Sequence, residues 1–231
     1  MKRGKRYKEL AKLIDKNRLY HLDEATDLLK QTANAKFDET IDLATRLGVD
    51  PRQADQNIRG TVSLPHGTGT SKRVIVFTTG EDRIQEAKEA GADVVGSEDL
   101  VERIQGGWME FEAAVATPDM MRIISRLGRI LGPAGLMPNP RSGTVTEDIG
   151  RTISEIKAGR IEYRFERSAP IIHVPVGKAS FEKEQIKENI STFMGEIIRV
   201  RPASARGRYV RSVAVSTTMG PGIKLEPQQF G

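Results

Sequence analysis

The side chains best able to do chemistry in this chain are cations, and they are clustered. Lys2, Arg3, Lys5, Arg6 and Lys8 all precede the first carboxylate, Glu9. Arg199, Arg201, Arg206, Arg208 and Arg211 form a second run with no acid between them. Clusters of this kind suit the phosphates of a polyanion; composition alone equally allows two solvated charged segments. Catalytic groups are sparse. His21, His66 and His173 lie far apart in sequence and read as ordinary structural or surface histidines, with no metal site. No Ser-His-Asp, HExxH or paired-carboxylate pattern stands out. Gly67-Thr68-Gly69 comes before its strand rather than after it, so it does not match a dinucleotide fingerprint. Gly132-Pro133-Ala134-Gly135 has proline where a phosphate cradle needs free amides, and no Gly-Lys-Ser/Thr follows. The expectation is a protein that binds without catalysis and without a cofactor.

The bulk numbers set further bounds. The 231 residues are 38% hydrophobic and 29% charged, which marks a globular chain. Cysteine is absent, which excludes a disulfide framework and fits a reducing compartment. No apolar run is long enough for a membrane span. The beginning, MKRGKRYKEL, has no apolar core behind its charges, so it does not read as a secretory signal. The net charge is +5, unevenly spread. Residues 67–159 carry 11 Lys/Arg against 14 Asp/Glu, net −3, while the remainder carries 25 against 17, net +8. The asymmetry predicts two units, with the polyanion contact on the one built from the chain ends.

Two short motifs and one long one could shape such a contact. Ala35-Lys36-Phe37-Asp38-Glu39-Thr40 sets an aromatic beside a lysine at a helix-to-strand corner. Ser216-Thr217-Thr218-Met219-Gly220-Pro221-Gly222 is a turn whose hydroxyls and backbone groups suit ribose, with Met219 able to pack on a base or sugar. Phe37 as a core residue and the turn as an ordinary hairpin tip are the plainer alternatives. The stretch from Leu127 to Thr146 combines Gly132, Pro133, Gly135, Pro138 and Pro140, bracketed by Arg126, Arg129 and Arg141. Proline fixes φ and removes a donor, so these residues predict one rigid, non-repetitive path.

The elements that must hold these motifs fall into two styles. In the middle, strands are expected at 72–79, 92–96 and 111–117, with helices at 82–90, from Ser97 as N-cap, from Thr117 through Leu127, and at 147–158. That alternation implies parallel βαβ units and a Rossmann-like three-layer α/β domain. Towards the ends, helices are expected at 5–15, 23–33 and 181–199. Period-two strands are expected at 39–49, with Ile41, Leu43, Thr45 and Leu47 on one side, and at 59–64, 161–166, 171–176, 209–216 and 223–225. This is a split two-layer α+β domain. The predicted organisation is a discontinuous domain of residues 1–66 and 160–231 with residues 67–159 inserted. Gly67, Gly69 and Gly159 would be the pivots of a two-segment hinge. Three subdomains in a row are disfavoured, because residues 1–66 alone would make a weak core.

LGRILGPAGLMPNPRSGTVT resembles the signature of the L-one family of large-subunit ribosomal proteins, in its bacterial form. AKFDET, DQNIRGTVSLPHG, GWMEFEAAVATPDMM, IKAGRIEYR, VPVGKASF and TTMGPG resemble it too, in order, from Lys2 to Leu225. The resemblance implies binding to the mobile side stalk of large-subunit rRNA beside the tRNA exit site. It implies help in moving and releasing deacylated tRNA, and repression of translation by binding the protein's own mRNA. It implies a cytoplasmic protein, a monomer when free, with no membrane partner. RNA contacts carry over onto Arg3, Lys5, Lys36, Phe37, Thr40, Arg164, Ser212, Thr218, Met219 and Gly220. Arg129 and Arg141 would face the interdomain cleft or a secondary RNA or tRNA surface. A phosphate-ligand enzyme using the middle domain and a pure protein scaffold are the competing readings.

Overall fold

The computed structural model describes residues 4–50, 53–56, 58–166 and 169–230. It is a mixed α/β chain whose contacts divide into two compact units. The first comprises residues up to Gly69 and from Ile161 onward; the second is Thr70–Arg160.

In the first unit the sheet follows from strict alternation. Strand β1 (Thr40–Leu47) buries Ile41, Leu43, Thr45 and Leu47, none more than 1% exposed. It lies between β7 (Ile171–Lys178) and β8 (Val210–Thr217), antiparallel to both, and β9 (Ile223–Leu225) completes the order β7-β1-β8-β9. The buried face packs on α2 (Leu22–Thr32) and α8 (Lys183–Arg199) through Leu29, Ile186, Ile190, Phe193 and Ile197. The even positions of β1, Asp42, Ala44 and Arg46, are half-buried or exposed. Helix α8 begins at a capping box: the Glu182 side chain accepts from the backbone three residues on, and the Glu182 N–H donates to Gln185 Oε1 at 2.9 Å. Strands β2 (Arg59–Ser63) and β6 (Arg160–Arg164) form a separate pair.

The second unit is a parallel sheet in the order β4-β3-β5, with β3 (Val74–Phe77) central between β4 (Val94–Gly96) and β5 (Ala113–Ala116). Every β3 side chain is buried, as a strand covered on both faces requires. Ile75 and Phe77 join the core under α4 (Glu98–Gln105), α5 (Met121–Ile124) and α6 (Gly128–Ala134). Val74 and Val76 join the opposite core with α3 (Glu81–Glu89) and α7 (Ile149–Lys157).

Three local expectations are corrected. The first helix, α1 (Lys5–Leu10), stops well short of Asp15. Asp15 Oδ1 instead accepts the Asn17 N–H at 2.9 Å, a turn that competes with helix. Ser97 does not cap α4 with its hydroxyl; its own N–H donates to Asp99 Oδ1 at 2.8 Å. The proline-rich stretch is not wholly non-repetitive, because α6 runs through Pro133 to Ala134 and ends at left-handed Gly135. Gly132 before that proline lacks the Cβ that would clash in helix, and Pro133 lies near the helix end.

Asn189, fully buried on α8, ties three strands of chain together. Its Nδ2 donates to the Gly67 carbonyl at 2.9 Å and the Val176 carbonyl at 2.8 Å, and its Oδ1 accepts the His66 N–H at 3.1 Å. Gly69 is equally packed: a Cβ there would lie 2.7 Å from Lys178 Cγ and 2.8 Å from Phe181 Cε1. Asn189→Ala leaves three backbone groups without this partner. It is expected to lower stability by roughly 2–5 kcal/mol, read as a shifted denaturant midpoint.

Candidate nucleic-acid interface

One end of the four-stranded sheet gathers the corner before β1 and the turn after β8. Thr218 secures them side by side. The Thr40 N–H donates to Thr218 Oγ1 at 2.9 Å, the Thr218 hydroxyl donates to the Thr40 carbonyl at 3.2 Å, and the Thr218 N–H donates to the same carbonyl at 3.0 Å. Lys178 Nζ donates to Thr40 Oγ1 at 2.8 Å. Asp38 takes the N–H of Ser180 at 3.0 Å and its hydroxyl at 2.8 Å.

Beneath them sits Glu39, only 1% exposed. Its Oε1 accepts the Ala35 N–H at 2.9 Å, before the corner. Its Oε2 accepts the Met219 N–H at 2.9 Å, 180 residues away. One carboxylate therefore clamps both loops. Burial pushes this carboxyl up, but the Met219 and Ala35 amides, helped by the charge of Arg6, hold it below the ordinary 4.5.

With the backbone fixed from below, the side chains above stand in water. Phe37 is 55% exposed and Met219 50%. Lys36 is exposed beside Phe37. Lys5 is exposed in the first turn of α1, next to Arg6. Gly220 is required by close approach, since a Cβ would press into Thr217 Oγ1.

Lys36, Phe37, Thr40, Thr218, Met219 and Gly220 are thus brought together. Arg164 lies elsewhere, exposed at the end of β6 in the two-stranded pair. Ser212 is exposed on β8 opposite Arg46, six residues before Thr218 and roughly 20 Å along the strand at ~3.3 Å per residue. Arg3 lies outside the described residues. In the second unit Arg129 is exposed on α6, and Arg141 follows in the short turn Pro140–Ser142. Gly67, Gly69 and Gly159 all have positive φ, at 63°, 72° and 109°. Among the described residues no cluster of His, Asp or Glu is arranged to hold a metal, and no helix is long and apolar enough to cross a membrane.

Sequence reasoning passed over Glu39 itself. The signal was present: counting back by twos from Ile41 puts Glu39 on the inward side, where an acid must have buried donors.

The corner thus presents an exposed aromatic, an exposed thioether and an exposed lysine on loops whose backbone is held from below. The chain belongs to the Ribosomal protein L1p/L10e family, which it matches over residues 29–221, most of its length. As a member it is a structural protein of the large ribosomal subunit in the cytoplasm, and it binds rRNA.

Because the Glu39 carboxyl is lowered on folding, its stabilisation is complete above pH 4.5 and drains as the pH falls through the depressed folded-state value. Glu39→Gln turns an amide NH2 towards one of the two N–H donors. It is expected to lower stability by about 1–3 kcal/mol at neutral pH. The gap between the two proteins should close in acid below pH 4.5, followed by denaturant midpoints across pH. A gap that acid leaves unchanged would assign the loss to packing instead of charge.

Proposed function

We propose that the corner formed by Lys36–Thr40 and Thr218–Gly220 is where this chain holds the mobile side stalk of large-subunit rRNA. The observation that carries this reading is the pairing of Phe37 and Met219, both half in water, on loops clamped by a buried carboxylate. A rigid, exposed ring and thioether offer stacking and packing surfaces at little ordering cost on binding. Lys36, Lys5, Arg3 and Arg164 supply phosphate contacts around it, and Ser212 a contact further along β8. Residues 1–66 and 160–231 act as the RNA-binding domain, and residues 67–159 as an inserted Rossmann-like domain.

On this reading the chain is a monomer when free and no enzyme. It assists movement and release of deacylated tRNA from the exit site, and represses its own mRNA by offering that messenger the same corner. Arg129 and Arg141 belong to a secondary RNA or tRNA surface. The two connections near Gly67, Gly69 and Gly159 form the hinge. Asn189 and Phe181 hold the first two glycines against the RNA-binding unit, so bending concentrates just beyond them, at exposed Thr70 and Ser71.

Thr218 is a poor probe of contact, since its hydroxyl bonds the Thr40 backbone. Phe37→Ala and Met219→Ala are cleaner, because both side chains are exposed. Each is expected to weaken binding to large-subunit rRNA by about 1–3 kcal/mol with the melting temperature unchanged. Lys36→Gln should lower the slope of log affinity against log salt by roughly one. Undiminished affinity of both apolar variants in filter binding would remove the corner from the interface. Competition between stalk rRNA and the leader of the chain's own mRNA for the wild-type protein tests the shared site.

A further inference from the structure

The corner leaves part of the cationic surplus without a role. Two of the five arginines between 199 and 211 are engaged within the fold. Arg199 grips Glu196 through Nε and Nη2, both at 2.7 Å. Arg201 Nη2 donates to the carbonyls of Ala205 at 3.1 Å and Gly207 at 3.3 Å, and its guanidinium lies 5.5 Å from the centre of the Tyr209 ring. Tyr209 is buried, donates its hydroxyl to the Ile197 carbonyl at 3.1 Å and accepts the Gly48 N–H on its own carbonyl at 2.6 Å. The segment is therefore fastened both to the end of α8 and to the end of β1.

The other three, Arg206, Arg208 and Arg211, are exposed, and their guanidinium groups have no hydrogen-bond or ion-pair partner among the described residues. Arg206 and Arg211 line an open concavity of about 570 Å³ with Asp50, Gln53, Gln56 and Ser204. Arg208 and Arg211 line a second hollow that also includes Lys224. Across both linings, among the described residues, four cations face one carboxylate, Asp50, and no aromatic ring; Tyr209, which lines an adjoining hollow with Arg208, is itself buried. Guanidinium forks on a fastened loop match phosphate oxygens, and the missing ring argues against base stacking there.

We propose that Arg206, Arg208 and Arg211 form a second RNA site, one that grips sugar–phosphate backbone at the far pole of the sheet. Antiparallel pairing puts Gly48 and Tyr209 at this pole and Thr40 and Thr218 at the other. From Arg211 to Thr218 along β8 is about 23 Å at ~3.3 Å per residue. An RNA anchored at the corner would therefore reach this pole with a separate stretch of backbone. The inference rests on the corner being the specific RNA site and adds a non-specific, electrostatic grip to it.

The test compares the full chain with the triple variant Arg206→Gln, Arg208→Gln, Arg211→Gln, binding large-subunit rRNA across a range of salt. Each phosphate contact contributes roughly 0.7–0.9 to the slope of log affinity against log salt. The triple variant is expected to lose about two to three units of slope, with unchanged melting and with affinity extrapolated to 1 M salt preserved. Met219→Ala is expected to do the reverse, losing affinity at every salt with the slope kept. An unaltered slope in the triple variant, with wild-type binding intact, overturns the second site and leaves the corner standing. Inorganic pyrophosphate, titrated calorimetrically, separates RNA backbone from a free anion. Pyrophosphate binding lost in the variant without a change in RNA slope would also overturn it. If the wild type fails to bind the rRNA saturably, both readings fall together.

Discussion

The buried carboxylate of Glu39 is the constraint on which the candidate interface depends. A charge placed at 1% exposure is strongly unfavourable unless donors surround it. Here the donors are backbone amides from two loops, and neither loop can leave without stranding the charge. The penalty for disorder is thus shared by residues 180 positions apart. Local turn propensity alone could not do this, because a Gly-Pro turn fixes its own shape and not its distance from another loop. Thr218 adds the lateral link, and Lys178 and Asp38 extend the network to the end of β7.

That clamp explains why Phe37 and Met219 can remain in water. Isolated apolar side chains at a surface are common and need no account. Two on neighbouring loops whose Ala35 and Met219 amides are held by Glu39 are different, since collapse onto the core would break those bonds. Ionic pairing is arranged to the same end. Lys183 pairs with Asp27 and Lys187 with Asp23, on the helical side of the sheet. Lys5 and Lys36 carry no ion pair among the described residues, so their charge is available to an anion, whereas Arg6 already acts on Glu39. Surface pairs stabilise little, and their larger effect here is to decide which cations remain free.

The regular elements were readable because their period is set by burial. Alternation along 39–49 marked the inward residues of β1 correctly, and β9 was placed to the residue. The parallel core of the second unit was readable from short β-branched runs with helices between. What sequence missed lay where a distant partner overrides local preference. The helix through Pro133 is tolerated because Gly132 precedes it, and the stretch after α1, expected to continue the helix, holds an Asx turn at Asp15–Asn17 instead. In the candidate site, Phe37 and Met219 stood out by residue type, while their exposure, which sequence left open, is defined by the fold. Glu39 was not, since its partners arrive from the other end of the chain.

Formal charge is likewise an incomplete guide to where a polyanion can be held. The count of +8 against −3 favours the unit built from the chain ends. Yet within the run 199–211 two of five arginines are turned to structural use, so the count overstates the free charge there. In the second unit the reverse holds. Arg122, Arg126 and Arg129 recur at the spacing of one helical face along a continuous helical run, all exposed and unpaired among the described residues. The acids that make the unit negative are partly occupied: Asp93 by Lys157 at 3.2 Å, Glu155 by Arg160 at 2.8 Å, Asp119 by Arg83 at 3.0 Å. A unit with net negative charge can thus present a locally cationic edge. The relevant quantity is the charge left unpaired on one face, which only the folded chain defines.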